Sequence, residues 1–411
     1  MKVLHLTNYY PPLHQGNTEL QCAQFVRTLS AQGHQQRVLT SETPPNTKLK
    51  DPEPQVRRVF RLYPSEGRLT FEQIRALEIH NHAQLRENLE NFHPEVILIW
   101  GAQNLSVSLL HTINSSGIPV VYGFFNRWVD FWLRKDPWLD LWKAGSTVPK
   151  PFFTRLLLKL GMKSTVTANI PTDSPRQVSF PNAFFCSRSL ASTMQSEGHR
   201  IGKSTIIPCA LPLAEFPYRA PGTGSLRKLI YIDRINDGKD TLTAIKALKE
   251  LRSMGHTRYT LQIYGRADRH YEKTLHEYIR KSQVSGNVSI KPLVEDDIPS
   301  LLRGNDIFLS TVKTPEAFPL MAVKAMAVGL PVLSTPSGSN KEVIKDGETG
   351  ILFTPGKAAE LAEKIHALGD DPQRAKEISE KARAEVDKSF EIKNVAARLH
   401  EFLLEVRSGK T

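Results

Sequence analysis

The chain has 411 residues, of which 40% are hydrophobic and 23% are charged, with 27 prolines and 24 glycines spread along it. This is more than one hydrophobic core supports, so we expect two domains, and the composition excludes a disordered chain. The formal charge of +12 indicates an acidic partner: nucleotide phosphates, an anionic lipid surface or nucleic acid.

Nothing near the start predicts a secretory signal, because a Pro-Pro pair follows the first short apolar run. The most apolar stretch, residues 96–113, is interrupted by polar residues, so we expect no membrane-spanning segment. Cys22, Cys186 and Cys209 are odd in number and widely spaced, which favours reduced thiols in a cytoplasmic protein over disulfides or a metal site.

The first half alternates short apolar runs with helical patterns. A strand at Lys2–Leu6 is followed by a Pro-Pro-x-x-x-Gly turn and a helix over Glu19–Gln32. Further strands are predicted at Gln36–Thr40, Val96–Trp100, Val120–Gly123 and Ala183–Cys186. Strands separated by helices predict a parallel sheet.

A second cycle of the same kind follows the Pro- and Gly-bearing stretch Leu211–Gly224, which we interpret as a hinge. Its predicted strands are Lys228–Ile232, Thr260–Tyr264, Val288–Ile290, Ile307–Leu309 and Val332–Ser334. We therefore predict an N-terminal Rossmann-like domain over 1–215 and a C-terminal one over 216–390. A helix over about Asn394–Val406 lies in the remaining segment, 391–411, and has one apolar face to pack back on the first domain.

Ligands of open parallel sheets bind beyond the carboxyl ends of the strands, so chemistry-bearing residues should follow strands. Asp233 and Arg234 end one strand, and Lys239 comes five residues after Arg234 at the start of a helix. Two cations across such a turn can reach one pyrophosphate, Arg as a bidentate fork and Lys as a point charge. The alternative is a solvated loop with two unrelated basic residues.

A carboxylate, Glu316, follows another strand, and helical spacing over Phe318–Val328 comes after it. Such a carboxylate can accept hydrogen bonds from sugar hydroxyls, while the first free amides of the helix hold phosphates. The alternative is an acidic residue that merely favours a helix start. Glu295, Asp296 and Asp297 precede another apolar helix, and we interpret them as N-capping residues and not as a metal site.

The residues from Glu316 to Val332, EAFPLMAVKAMAVGLPV, resemble the donor-site segment of the retaining glycosyltransferase family 4, written Glu-x-Phe-Gly and Glu-Ala-Met-Ala-x-Gly-x-Pro-Val. Asp233-Arg234 to Lys239 is similar to that family's Gly-Arg-x4-Lys, and the opening loop with Gly16-Asn17 is similar to its Pro-Pro-x-x-Gly-Gly. Downstream, the family's "GG..E....G..G" pattern is matched by Gly338, Glu342, Asp346, Gly347, Thr349 and Gly350.

The resemblance implies a GT-B fold, with two facing Rossmann-like domains and parallel sheets, and a donor site in an interdomain cleft. It implies transfer of a sugar from a UDP- or GDP-type donor to an acceptor hydroxyl of a glycan, lipid or small molecule, with the anomeric configuration kept and no metal required. Glu316, Arg234 and Lys239 would be the catalytic residues. The implied donor-binding residues are Gly16, Asn17, Asp233, Phe318, Pro319, Leu320, Met321 and Lys324.

Four positions depart from the family pattern. Lys324 stands where the family has the second Glu of its pair, which replaces an acceptor by a donor. Pro319 replaces a Gly and has no N–H to offer, and Asp233 and Asn17 replace glycines of the other two motifs. These changes motivate an alternative: a catalytically silent protein of the same fold that binds a nucleotide, glycan or partner glycosyltransferase.

On the acceptor side, Phe125, Asn126, Arg127 and Trp128 stand where the family often has His-Asp or Ser-Asp before an aromatic residue. Trp128, Trp132, Trp138 and Trp142 interleave with basic residues along this part of the chain. Aromatic residues beside cations fit peripheral contact with a membrane or a lipid-linked acceptor, and they also fit a packed acceptor lid.

Two other nucleotide-related classes are disfavoured. The basic residues are scattered and no nucleic-acid-binding module is recognisable, so nucleic acid is not an expected partner. The first strand is not followed by the GxGxxG motif of a nicotinamide dehydrogenase. The glycine-containing segment that begins at Gly222 comes before a predicted strand, whereas the GxGxxG motif comes after one.

Overall fold

The computed structural model describes residues 1–44, 53–64, 66–130, 136–143 and 145–409. The chain forms two compact units, each with its own sheet. The first contains Met1–Cys186, Ala191–Ile207 and Ala396–Thr411, and the second contains Ser187–Leu190 and Pro208–Val395. The end of the C-terminal helix therefore belongs to the first unit, where Arg398 donates to the carbonyl of Ile206 and Arg407 pairs with Glu95.

Within the described residues, the first unit holds a sheet of seven parallel strands in the order β3-β2-β1-β4-β5-β6-β7. The strands are β1 (Lys2–Leu6), β2 (Gln35–Ser41), β3 (Val56–Phe60), β4 (Val96–Ile99), β5 (Val120–Phe124), β6 (Ser179–Phe185) and β7 (Arg200–Ile206). The described helices before residue 208 are α1 (Asn17–Ala31), α2 (Phe71–Phe92), α3 (Val107–Asn114), α4 (Pro137–Asp140), α5 (Phe152–Lys159), α6 (Lys163–Thr167) and α7 (Arg188–Ser196).

The second unit repeats this plan with six parallel strands in the order β10-β9-β8-β11-β12-β13. Its strands are β8 (Lys228–Ile232), β9 (Thr260–Tyr264), β10 (Val288–Lys291), β11 (Ile307–Ser310), β12 (Val332–Ser334) and β13 (Ile351–Leu352). The remaining helices are α8 (Thr241–Ser253), α9 (Arg269–Lys281), α10 (Ile298–Arg303), α11 (Leu320–Val328), α12 (Asn340–Val343), α13 (Ala358–Gly369), α14 (Pro372–Ser389) and α15 (Ile392–Arg407).

Both faces of the second sheet are covered, which explains why its strands are continuous apolar runs. On β8, Leu229 and Tyr231 pack into the core beneath α8 and α13, while Ile230 and Ile232 pack into the opposite core with α11. Side chains alternate across a strand with a period of two, so each strand supplies both cores. The predicted two Rossmann-like α/β domains are confirmed.

Three strands were not predicted: β3, β7 and β13. All three are edge strands of their sheets. An edge strand buries less apolar surface, and β7, with the sequence RIGKSTI, is exposed or half-buried along its whole length. The apolar signal that marks central strands is therefore weak in β3 and β7, whereas β13 is apolar but only two residues long.

Two interpretations of the sequence are wrong in detail. The stretch read as a hinge is packed into the second unit: Leu211 exchanges backbone hydrogen bonds with Phe390 and Ile392, at 2.8 and 3.1 Å, and Phe216 lies in the core. Glu295–Asp297 form a 3-10 turn, and no side chain caps α10, because Asp297 at its N-cap already has helical backbone angles. No helix in the described part of the chain is both long and apolar enough to cross a bilayer.

Candidate functional site

A cluster of charged side chains in direct contact lies at the switch point of the second sheet. The central strands β8 and β11 are neighbours. The strands that follow β8 in the chain extend the sheet in one direction, and the strands that follow β11 extend it in the other. Loops diverge at such a point and leave a crevice at the carboxyl ends of the strands. Asp233 directly follows β8, and Glu316 lies in the loop that follows β11.

Local hydrogen bonds determine the shape of the loop after β8. The side chain of Asn236 accepts from the backbone N–H of Lys239 at 3.0 Å, which closes a 3-10 turn over Asp237–Lys239. Asp240 then adopts a left-handed conformation, with φ of 50°, before α8 begins. The backbone N–H of Lys313 donates to the carbonyl of Gly238 at 3.0 Å, so the two switch-point loops are tied together.

The ammonium group of Lys239 lies between two carboxylates. Its Nζ is 2.7 Å from Oδ2 of Asp233 and also pairs with Oε1 of Glu316. Burial alone would lower the pKa of Lys239, but the carboxylates of Glu316 and Asp233 outweigh it and raise that pKa. Burial raises the pKa of Glu316, while Lys239 opposes the shift. With both acids ionised, these three side chains carry a net charge of −1.

Glu316 is held through its backbone by the loop that follows β12. The backbone N–H and the hydroxyl of Ser339 both donate to the carbonyl of Glu316, each at 3.1 Å. Gly338 has φ of 60°, and a Cβ there would lie 2.3 Å from the backbone nitrogen of Glu316. Only glycine fits so close to this backbone in a left-handed conformation, so Gly338 permits the position of the carboxylate.

Arg234 lies at the edge of this cluster. Its backbone N–H donates to Oδ1 of Asp233 at 2.7 Å, and its side chain is exposed. The guanidinium lowers the pKa of Glu316, but less than burial raises it. The structure thus brings Asp233, Lys239 and Glu316 into direct contact and leaves Arg234 facing solvent beside them.

The start of α11 offers fewer amides than the sequence pattern implies. Pro319 occupies the N-cap and has no N–H, and the amide of Leu320 already donates to the carbonyl of Phe318 at 3.0 Å. The first helical amide after these belongs to Met321. Phe318 packs edge-on against Phe390, with ring centroids 5.6 Å apart.

Lys324 points into a partly apolar environment on α11. Its Nζ lies 5.6 Å from the centroid of the Phe216 ring. Burial lowers the pKa of Lys324, and the nearby carboxylates of Glu295 and Glu215 only partly oppose this. A family glutamate at this position would face two other acids, so the substitution changes the local charge balance as well as the hydrogen-bonding group.

In the first unit, the residues of the opening motif lie at the start of α1, where Gly16 is the N-cap and Asn17 the first helical residue. The side chain of Asn126 donates to the hydroxyl of Thr18 at 3.2 Å. The side-chain oxygens of Asn126 and Asn8 are buried and accept no hydrogen bond in the described structure. Both oxygens can therefore still accept a hydrogen bond.

The other acceptor-side residues are mostly structural. Phe125 is 6% exposed and stacks on Trp100, and Trp128 is 2% exposed and donates to the carbonyl of Gly123. Arg127 pairs with Asp130 and Glu197. Of the four residues, Asn126 alone has a buried polar atom without a partner, and an acceptor site here stays a prediction.

Within the described residues, one cluster has metal-ligand geometry: Asp130, Glu197 and His199 in the first unit. Both carboxylates of this cluster are engaged by Arg127, so a cation is already present. We interpret it as an ion-pair network.

Two residues that hold the loops of the site in place were not identified from the sequence. Asn236 was not identified, although an Asn whose side chain accepts from a backbone N–H three residues later is a known signal for a turn. Ser339 was missed because its contact with Glu316 joins residues 23 positions apart, and short-range spacing does not reveal such a contact.

The chain has two parallel sheets of Rossmann order, one in each unit, and its fold is the GT-B fold of the solved structures to which it is similar. Residues 222–385, which include Asp233, Lys239 and Glu316, match the family model described as Glycosyl transferases group 1.

Similar proteins agree with this assignment of the fold. The chain is 27% identical over 219 residues to glycogen synthase from Mycobacterium tuberculosis, a match that covers 52% of this chain and 51% of that protein. The chain thus spans about half the length of this curated relative. Sucrose-phosphate synthase from Thermosynechococcus elongatus superimposes with a TM-score of 0.70, 14% identity and full coverage of both chains. HepE from Anabaena, solved with UDP and glucose, gives a TM-score of 0.68 and 19% identity over 98% of this chain and 100% of that one.

Proposed function

We propose that the protein is a retaining hexosyltransferase that moves a sugar from a UDP- or GDP-type nucleotide donor to an acceptor hydroxyl. The observation that carries the proposal is the contact of Lys239 with Asp233 and Glu316 at the switch point of the second sheet. The match to a glycosyltransferase family model over this region supports it, as does the similar fold of HepE, whose structure contains UDP and glucose.

In the proposed mechanism, Lys239 and Arg234 bind the diphosphate and stabilise the negative charge that grows on it as the glycosidic bond breaks. Lys239 is suited to this role because its raised pKa keeps it protonated at neutral pH. The amide of Met321 and those after it add partial positive charge from the start of α11.

Glu316 is proposed to accept hydrogen bonds from the hydroxyls of the donor sugar. It is half-buried, and its loop is fixed by Gly338 and Ser339, so its carboxylate is oriented before the donor arrives. Asp233 competes with the donor phosphates for Lys239, so donor binding requires this ion pair to rearrange.

The acceptor is proposed to be a glycan, a lipid or a small molecule. We favour Asn126 as the residue that contacts the acceptor, because its buried side-chain oxygen can accept a hydrogen bond from a hydroxyl of the acceptor molecule. We place the reaction in the cytoplasm, where three buried cysteines without disulfides are stable.

The test combines binding with turnover. The purified chain is incubated with UDP- and GDP-sugars, and thermal stabilisation and nucleoside-diphosphate release are measured, with water as the default acceptor. Lys239→Ala should abolish stabilisation by the donor, whereas Lys341→Ala, which removes an exposed lysine of α12, should not. NMR of the product reports whether the anomeric configuration is kept, and activity unchanged by EDTA is expected for a metal-independent enzyme.

The alternative, a catalytically silent binding protein, is favoured by two features of the site. Lys239 is engaged by two carboxylates, and Lys324 replaces the acid that the family pattern places on α11. Stabilisation by nucleoside diphosphates without any diphosphate release from a donor would support this alternative.

A further inference from the structure

The most unusual surface of the molecule lies on α5 and the turn that follows it. Among the described residues, seven large hydrophobic side chains are exposed, and five of them fall within eleven consecutive positions. They are Phe152, Phe153, Leu156, Leu160 and Met162, and their exposed fractions range from 41% to 75%. No residue of α5 is buried. A patch of this kind marks a binding surface.

The apolar residues of α5 form one coherent face. At about 100° per residue, Phe152, Phe153, Leu156 and the C-cap residue Leu160 fall within an arc of about 100°. Arg155 and the last helical residue, Lys159, flank that arc on one side. A short helix with an exposed apolar face and cations beside it is suited to lie in the plane of a lipid headgroup layer.

The charge of the segment that carries this helix favours one occupant of the surface, and the acidic residue described next to the helix is Glu72 of α2, which lines a cavity together with Phe153. Between Asp140 and Asp173 the sequence contains no acidic residue and five basic ones, namely Lys143, Lys150, Arg155, Lys159 and Lys163. An anionic bilayer satisfies both the apolar face and the cations. A second copy of the chain would bring two such positive surfaces together, which disfavours self-association.

This surface is not the one indicated by the tryptophans. Trp128 and Trp138 are buried, at 2% and 0% exposure, and Trp132 lies outside the described residues. Trp142 is half-buried, with the ammonium groups of Lys150 and Lys163 each 5.8 Å from its ring. The exposed apolar surface is therefore formed by phenylalanine, leucine and methionine, and not by the described tryptophans.

We infer that α5 and the following turn, Phe152–Met162, form a docking surface for anionic lipid membranes. Phe152, Phe153, Leu156 and Leu160 enter the headgroup–acyl boundary, and Arg155 and Lys159 contact lipid phosphates. The inference goes beyond the proposed transferase activity, and membrane binding is measured without any sugar donor.

The test is flotation of the full chain with vesicles of phosphatidylcholine alone or mixed with phosphatidylglycerol. Binding to the mixed vesicles is expected, and it should weaken as salt is raised. Phe152→Ser combined with Phe153→Ser should reduce partitioning by about tenfold or more. The control is Met254→Ser combined with Val294→Ser, which removes the other two large apolar side chains that are exposed among the described residues. This control should bind like the unmodified chain.

A second variant tests the charges without touching the apolar face. Arg155→Gln with Lys159→Gln should weaken binding to anionic vesicles by about fivefold per cation removed, with the melting temperature unchanged. Lys376→Gln with Lys381→Gln, two exposed lysines of α14, is the matched control.

Three results would overturn the inference. The first is no binding of the unmodified chain to phosphatidylglycerol vesicles, and the second is equal loss in the α5 and control variants. The third is a lipid-free dimer that Phe152→Ser with Phe153→Ser converts to a monomer, because a second copy would then cover the surface.

Discussion

Replacing Asp233 by Asn should tighten the binding of nucleoside diphosphates. In the free protein, Oδ2 of Asp233 lies 2.7 Å from Nζ of Lys239, the group proposed to bind the diphosphate. Asn keeps the size of the side chain and an oxygen that can accept from the backbone N–H of Arg234. The substitution therefore removes a negative charge from the site and leaves its shape.

The expected magnitude follows from Coulomb's law. A phosphate oxygen that bonds the same ammonium lies at most about 5.5 Å from the Asp233 carboxylate, where two unit charges repel by about 3 kcal/mol at an effective dielectric constant of about 20 and by under 1 kcal/mol in bulk water. The Asp233 and Lys239 side chains are 23% and 17% exposed, so the gain should lie between these limits. We expect about 1–2 kcal/mol, or about five- to thirtyfold in Kd.

Isothermal titration of UDP and of GDP into both proteins measures the effect, and the difference should shrink at high salt. Asp237→Asn is the control, because Asp237 lies on the same turn, is 85% exposed and pairs with Lys313 at 3.7 Å, whereas Lys239 pairs with Asp233 and Glu316. Unchanged or weaker binding in Asp233→Asn, with wild-type stability, would refute competition between Asp233 and phosphate for Lys239.

Three further predictions concern stability. Gly338→Ala should lower the free energy of unfolding by about 2 kcal/mol or more and impair donor binding, because the added Cβ would clash with the backbone of Glu316. The control is Gly356→Ala, where φ is 75° and the space around the added Cβ is open, and it should cost about 1 kcal/mol. Lys324→Met should be nearly neutral in urea unfolding, whereas Lys324→Glu should lose about 2 kcal/mol because two glutamates lie close to it. Burial, with a contribution from a neighbouring glutamate, raises the pKa of Asp136 to about 7 from its ordinary 3.8, so between these values the folded state binds more protons and stability falls as pH rises. That loss is at most about 4 kcal/mol, and unfolding curves of Asp136→Asn between pH 4 and 7 should lack it; an equal slope in both proteins would contradict the prediction.

Much of the fold follows from the sequence because central strands of parallel sheets are buried on both faces. The strands β1, β8, β9 and β12 were predicted with the bounds that the structure has. The three strands that were not predicted lie at sheet edges, where a strand such as β7 carries polar and half-exposed residues and β13 is only two residues long. Long-range pairing also escapes local patterns: Leu211 bonds to Phe390 across 179 residues, which turns an apparent linker into packed structure.

The site was predictable in part, for a different reason. Chain order in a Rossmann sheet brings the ends of β8 and β11 together, so Asp233, Lys239 and Glu316 were expected near one another, and they are in contact. The sequence did not reveal that Asp233 and Glu316 would compete for one ammonium group. Such competition depends on side-chain distances of a few ångströms, and motif spacing does not determine them.

The exposed apolar surface on α5 and the buried tryptophans show that aromatic residues close in sequence to cations can have different structural roles. Four tryptophans in fifteen residues resemble an interfacial belt, but Trp138 donates its indole N–H to the carbonyl of Pro171 at 2.8 Å and is fully buried. Once the indole N–H has a partner inside the protein, burying the ring is favourable, and it has no reason to seek the headgroup layer. Phe152 and Phe153 have no polar group to satisfy, and they remain exposed although a folded chain loses free energy by leaving them so. Exposed apolar side chains beside cations distinguish a docking surface from a core, and side-chain burial reveals them where composition does not.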